Sequence, residues 1–319
     1  MLENRPTPLD ALESRLPSAE GHFRRDHFDP PLLDAGSFTL ELAGVGAARR
    51  LTLDDLRRLP PRELDVVLEC AGHRRDEFEP PTPGLQWGVG AVGEARWTGA
   101  GMADVLALVE IGPDVTEIAL HGADRGSCEV AAGVHRYARS IPLAKALHHD
   151  TLLVWEMDGE PLPLGHGAPL RAIVPGWYAT DSVKWLERIE LLREPFDGPF
   201  QALDYRWVDE QHPPPGVRMD ELPVHSLITS IDAGAARGVA WGGGGIARVE
   251  VRIDDGEWRD ARLEQGSGVY ARTLWTLDLP HPARIVSARA TDVRGDSQPE
   301  RPDWNPGGYR NNSVQRIAL

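Results

Sequence analysis

The stretch ELDVVLECAGHRR, residues 63–75, decides how the rest of the chain is read. Its first eight residues read as a strand that carries Cys70 to its C-terminal end, just before AGHRR. Arg74 and Arg75 follow four and five residues after the cysteine. Nearby guanidinium charge lowers a cysteine pKa, and the thiolate is the form that binds a metal. Taken alone, the same residues equally describe a small buried hydrophobe followed by two surface arginines. The surroundings have to decide.

Upstream, FTLELAG at 38–44 alternates and reads as a strand. LTLDDLRRLP follows, with Thr52 as N-cap and Asp55 three residues on, which predicts a short helix ending before Pro60. The first thirty residues, rich in Pro and charge, read as an extended arm. Downstream, GMADVLALVE predicts a helix, while TEIALHG, TLLVWEM and LRAIVPG predict strands, with Asp158-Gly159 as a turn. Periodicity is lost around 195–222, where QHPPPGVRMDELP marks a connection between domains. Beyond it, ARVEVRIDDGEW places Val249, Val251 and Ile253 on one face before an Asp255-Gly256 turn, and ARIVSARATDVRG repeats the theme. Short strands without helical period predict a β-sandwich of about 100 residues. The reading is therefore a domain over 1–220 and a sandwich over 221–319.

Composition narrows the function classes. With 33 Gly, 27 Pro and ten Trp, the chain favours a loop-rich, strand-heavy fold over a helical bundle. A net charge of −15 argues against a broad nucleic-acid surface. Two cysteines, Cys70 and Cys128, are too few for a disulfide framework. No apolar run reaches the roughly 18 residues needed to span a membrane, and no signal sequence is evident, so a cytoplasmic protein is expected.

Several motifs are decoys. Gly88, Gly90 and Gly93 in WGVGAVGEARW match G-x-G-x-x-G, but PPTPGLQ precedes them and ARWTGAG follows, unlike the strand and helix that flank a dinucleotide loop. The histidines at 121, 135, 148 and 149 lack a metal-ligand spacing and read as ordinary surface or core residues. No P-loop, no G-x-S-x-G elbow and no C-x-x-C-H haem site occurs.

ECAGHRR resembles the cysteine motif of the sulfite oxidase family of molybdopterin-dependent oxidoreductases. The resemblance continues in order through GLQWGVGAVGEARWTGAGMADVL, SIPLAKAL, LLVWEMDGEPLPLGHGAPLRAIVPG and SVKWLERIEL. LPVHSLITS and AWGGGGIARVEVRIDDGEW are similar to the start of the family's C-terminal dimerisation domain, so the likeness covers roughly residues 20 to 319. It implies an α+β chain: a mixed α/β molybdopterin-binding domain with the sulfite oxidase fold, then an immunoglobulin-like β-sandwich. It also implies molybdenum held by molybdopterin, with Cys70 as the protein's metal ligand.

An anionic cofactor calls for donors and positive charge. Motif by motif, the resemblance assigns cofactor contacts to Phe23, Arg25, Asp26 and His27 in FRRDH, to Asp124 in HGADRG, and to His166 and Arg171 in GHGAPLR. Ser182, Val183 and Lys184 in SVK complete the set. It assigns the catalytic oxyanion pocket to Arg25, Arg75, Trp87 and Tyr205, the last in LDYRW, 21 residues after Lys184. Two departures stand out. Gly307, in WNPGGYRNN, occupies the place of a pocket arginine of animal sulfite oxidases, with Arg310 three residues on, and His73 replaces the usual Asn of the cysteine motif.

The resemblance implies oxidation of sulfite to sulfate by oxygen-atom transfer, with electrons leaving to an external acceptor such as a cytochrome, and it implies a homodimer. Gly307 keeps open the reduction of an oxo-substrate such as a sulfoxide or nitrate. A non-catalytic molybdopterin carrier is the alternative of another class, and a carrier would not need Arg25, Arg75 and Tyr205.

Overall fold

Alternating apolar residues become sheets in this protein, and helices stay short. The computed structural model describes residues 1–13, 19–44, 46, 48–232, 234–280 and 283–319. It divides into two compact bodies, one of residues 1–5, 24–64 and 96–220, the other of residues 6–23, 65–95 and 221–319. The architecture is α+β with a β-sandwich, as the sequence implied. No helix among the described residues is long and apolar enough to cross a membrane.

In the first body, a five-stranded sheet runs in the order Arg49–Thr52, Thr39–Ala43, Leu186–Leu192, Glu117–Ser127, Val134–Pro142. Only the pairing of Thr39–Ala43 with Leu186–Leu192 is parallel. Leu40 and Leu42 are buried while their neighbours are not, the period-two signature that made this segment legible. Thr52 caps the helix Leu53–Arg57 in a full capping box with Asp55, as predicted. The helix Met102–Leu106 is shorter than its ten-residue pattern, because Leu108 and Val109 close with tighter bonds to the carbonyls of Val105 and Leu106. At Asp158 and Gly159 φ is 56° and 80°, the two positive values a tight hairpin turn between Leu152–Met157 and Glu160–Pro161 requires.

The N-terminal segment is not an extended arm. Asn4–Arg5 pairs antiparallel with Arg24–Arg25 in the first body. In the second body Leu9–Glu13 forms a helical turn that buries Leu12. A single buried leucine leaves no period to read, which is why composition alone suggested an arm.

The second body holds two four-stranded antiparallel sheets. One has the order His225–Asp232, Ala235–Trp241, Thr273–Asp278, Arg262–Glu264, and the other Trp258–Asp260, Ile246–Ile253, Ile285–Asp292, Gln315–Ala318. Ile228, Val249, Val251, Trp275, Val286 and Ala288 form part of its apolar core. Each large aliphatic side chain there contributes about 1.5–3 kcal/mol by leaving water. The hairpin after Ile246–Ile253 takes its positive φ (52°) at Asp254, one residue before the expected pair. The Gly88–Gly93 run leads into the strand Val92–Gly101 and no helix, which agrees with rejecting it as a dinucleotide loop.

Candidate active site

Cys70 directly follows the strand Pro61–Glu69 and is buried in the second body. Its backbone is held on both sides: its N–H donates to the Ala91 carbonyl at 2.9 Å, and its carbonyl accepts the His73 N–H at 2.9 Å. Neither cysteine is in a disulfide.

The two arginines beyond it have different surroundings. Arg74 is neutralised, with its guanidinium on both Glu77 oxygens at 2.8 and 2.6 Å and on the Ser313 carbonyl at 2.5 Å. Arg75 is buried too, yet it donates only to the carbonyls of Gly308 (3.1 Å) and Leu85 (3.0 Å) and lies 4.9 Å from the Tyr309 ring centre. Among the described residues no carboxylate pairs with it. Three glycines, Gly72, Gly84 and Gly308, make room for it. A Cβ on Gly72 would lie 2.6 Å from the guanidinium carbon, and one on Gly308, where φ is +59°, would lie 2.9 Å from Arg75 Cγ. Trp87 sits in the loop that bonds back to Asp76, and its indole N–H is buried without a partner among the described residues. Phe23, also in this body, is fixed by its N–H donating to the Thr7 hydroxyl at 2.8 Å.

The first body collects the other expected positions. Asp26 is fully buried and pairs with Arg24 at 2.6 Å and with the Lys184 ammonium. Lys184 also donates to the Gly165 carbonyl at 3.2 Å. Burial, against the pull of Asp26, pushes its pKa down to about 8. Arg171 donates to the carbonyls of His166 (2.9 Å) and Ser182 (3.0 Å), with no carboxylate partner among the described residues. Burial pushes its pKa down to about 9. The Ser182 hydroxyl accepts the Val174 N–H, and the Val183 carbonyl accepts that of Ala172, so this loop is locked by its own backbone. Asp124 is buried with Oδ1 unpartnered among the described residues, and burial lifts its carboxyl to about 7 against the opposing Lys184.

Arg25, half-buried, donates to Asn4 Oδ1 at 3.3 Å and to the Asp26 carbonyl. His27 Nε2 lies 2.6 Å from the Tyr205 hydroxyl, and its pKa is held well below its ordinary value by burial, then by Arg25, Lys184 and Arg139. Tyr205 takes a positive φ of 46°. Sequence reasoning missed Tyr137, whose ring stacks on His27 at 4.5 Å, and Tyr309 beneath Arg75. Tyr309 lay inside the quoted WNPGGYRNN; Tyr137 sits in a strand with no motif to signal it. Of the set-aside histidines, His121 pairs with Glu190 at 3.1 Å and His135 bonds the Ala132 carbonyl at 2.8 Å.

In the first body, buried Arg171 has no carboxylate partner, Lys184 is held below its ordinary pKa despite its pairing with Asp26, and Asp124 Oδ1 has no partner among the described residues. Such a donor-rich set suits an anionic group with many hydrogen-bonding atoms. The comparisons agree. Residues 27–200 match the family described as "Oxidoreductase molybdopterin binding domain", and residues 220–319 match "Mo-co oxidoreductase dimerisation domain". The chain belongs to the sulfite oxidase family of molybdopterin-dependent oxidoreductases. Its cofactor is molybdenum with molybdopterin.

It is 35% identical to the human mitochondrial sulfite oxidase over 98% of its own length, and spans 63% of that relative. It is 32% identical to the Arabidopsis thaliana sulfite oxidase, covering 99% of this chain and 91% of that one. The crystal structure of the sulfane dehydrogenase SoxCD from Paracoccus pantotrophus superposes with a TM-score of 0.84 at 26% identity, over 98% of this chain and 82% of that chain.

Proposed function

We propose that this protein oxidises sulfite to sulfate, converting sulfite and water into sulfate, two protons and two electrons, and passes the electrons to an external acceptor such as a cytochrome. The observation that carries the reading is Arg75, a buried guanidinium on carbonyls and an aromatic face with no carboxylate partner among the described residues. A cation kept in that state suits a small oxyanion.

When bound, the molybdenum–pterin group supplies two-electron redox chemistry and oxygen-atom transfer. Cys70 is the proposed thiolate ligand. In the first body Arg25, Asp26, His27, Asp124, His166, Arg171, Ser182, Val183 and Lys184 are proposed to hold the cofactor, as is Phe23 in the second. Arg171 and Lys184 would meet its negative charge, and Asp124 would donate while protonated or accept while ionised. Arg75 and the Trp87 N–H are proposed to bind oxyanion oxygens in the second body, as are Arg25 and Tyr205 in the first. In the tautomer that carries its proton on Nε2, His27 would donate to the Tyr205 oxygen and so orient the Tyr205 O–H. We also place the domain boundary at 220/221 and assign the C-terminal domain to homodimer formation, which a dimeric mass in solution would bear out and a monomeric one refute.

Steady-state assays of molybdenum-replete protein with an artificial electron acceptor test the activity. Sulfite-dependent reduction of the acceptor is expected. Reduction of nitrate or a sulfoxide without sulfite turnover would overturn the reading in favour of the reductive chemistry that Gly307 leaves open. Cys70→Ser should lower molybdenum from about one per chain by more than about 100-fold, since ligand loss exceeds the 10–100-fold seen for outer-shell changes. Elemental analysis reads that directly.

A further inference from the structure

Within the second body, Glu69, His73 and His225 converge in a fully buried cluster. One ligand-type atom from each lies within 4.8 Å of the others. We propose that these three side chains form a second metal site, separate from the molybdenum ligand, for a divalent ion of the zinc class. It is independent of the sulfite reading.

Three observations converge on an ion. Both imidazoles approach the same carboxylate oxygen: Glu69 Oε1 is 3.3 Å from His73 Nδ1 and 3.1 Å from His225 Nε2. A tetrahedral ion with bonds of 2.0–2.1 Å sets its ligand atoms about 3.3–3.4 Å apart, so the His73 spacing matches an edge of that polyhedron and the His225 spacing is about 0.2 Å short of it. Next, neither approach is aligned as a hydrogen bond. Both nitrogens of both rings are buried without a hydrogen-bond partner among the described residues. Leaving such groups unsatisfied costs about 1–3 kcal/mol each, and a cation between the two rings and Oε1 satisfies one nitrogen of each at once.

The carboxylate is also pre-oriented for a ligand. Its other oxygen, Oε2, accepts the Trp241 indole N–H at 2.7 Å, the kind of outer contact that aims a metal-binding carboxylate. Trp241 in turn stacks flat on His225, at 5.0 Å and 1° between ring planes, and pairs with it across the strands His225–Asp232 and Ala235–Trp241. Glu69 is the last residue of the strand Pro61–Glu69, and His73 closes the turn after it through its N–H on the Cys70 carbonyl. An ion here would pin that strand end and turn to the hairpin of the sandwich. Two imidazoles and one carboxylate suit Zn²⁺ better than Mg²⁺ or Ca²⁺, which prefer all-oxygen sets.

The test uses the full chain expressed in medium supplemented with Zn²⁺ or, separately, Co²⁺, then dialysed into metal-free buffer. Elemental analysis should find about one such ion per chain, with the cobalt form showing visible d–d absorption. Cys70→Ser should retain the ion while losing molybdenum. His225→Gln and Glu69→Gln should each lose the ion at least about tenfold. The described residues contain one other candidate group, His148, His149 and Asp150, at which His149 is exposed. His148→Ala/His149→Ala should therefore leave the content unchanged. No zinc or cobalt in the wild-type chain overturns the proposal without reference to any variant's folding. So does loss of the ion in the His148/His149 variant, or its retention in His225→Gln.

Discussion

Arg139 and Arg171 lie in the same body and are both almost wholly buried, at 0% and 4% exposure, yet their surroundings have opposite electrical character. Arg139 faces the buried Asp181 at 3.1 Å and donates to the carbonyls of Phe200 and Met219. Burial pushes its pKa down, but Asp181 and Tyr137 outweigh that and hold it above its ordinary value. Among the described residues Arg171 has carbonyls and the face of Trp97 but no carboxylate, and burial pushes it down to about 9. The first arginine completes a structure. The second has no carboxylate partner among the described residues. The adjacent pair Arg74 and Arg75 repeats this contrast in the second body, one neutralised by Glu77 and the other not.

The largest effect should come from Arg139→Met. It strands the Asp181 carboxylate, with Arg218 at 3.3 Å as partial compensation, and should cost about 3 kcal/mol of stability with or without cofactor. Chemical denaturation reads it, and an unchanged midpoint would dissolve the contrast. Arg171→Met should do the converse. The cofactor-free chain should be no less stable, while cofactor retention weakens about 10–100-fold, the loss of one or two charge-assisted bonds. If it destabilises the cofactor-free chain as Arg139→Met does, Arg171 is structural.

Next in size, Arg75→Met should raise the KM for sulfite about tenfold, for loss of one charged hydrogen bond. An unchanged KM removes Arg75 from substrate binding. A further effect is one of pH. Asp124 has its folded pKa raised from 3.8 to about 7, so it contributes stability that is present below about pH 4 and lost as the pH rises through 7. Asp124→Asn should flatten that decline in the cofactor-free chain, worth about a few degrees in Tm across the window. A wild-type melting curve already flat from pH 4 to 7 would show that Asp124 is not held in its neutral form.

Much of this was legible because it is local. The strand before Cys70, the Thr52–Asp55 capping box and the Asp158-Gly159 turn depend on residues a few positions apart. The order of motifs was enough to identify the cofactor class. The glycines flanking Arg75 are a different matter: Gly72 and Gly308 meet one guanidinium from opposite ends of the sequence. Nothing in either local stretch announces that they share a neighbour. The folded-back N-terminus escaped for a related reason, since the pairing of Asn4 with Arg25 spans a segment without period.

By itself, then, the order of residues determined where several strands and a helix cap fall and which family the chain joins, because those follow from short-range pattern and collinear motifs. Only the tertiary structure decided which buried charges are answered within the protein. Arg139 and Arg171 are the same residue type, both almost wholly buried, and what separates them is whether a carboxylate from elsewhere in the chain, here Asp181, arrives within about 3 Å. Coulomb energy in a low-dielectric interior depends steeply on that distance, and no sequence interval encodes it.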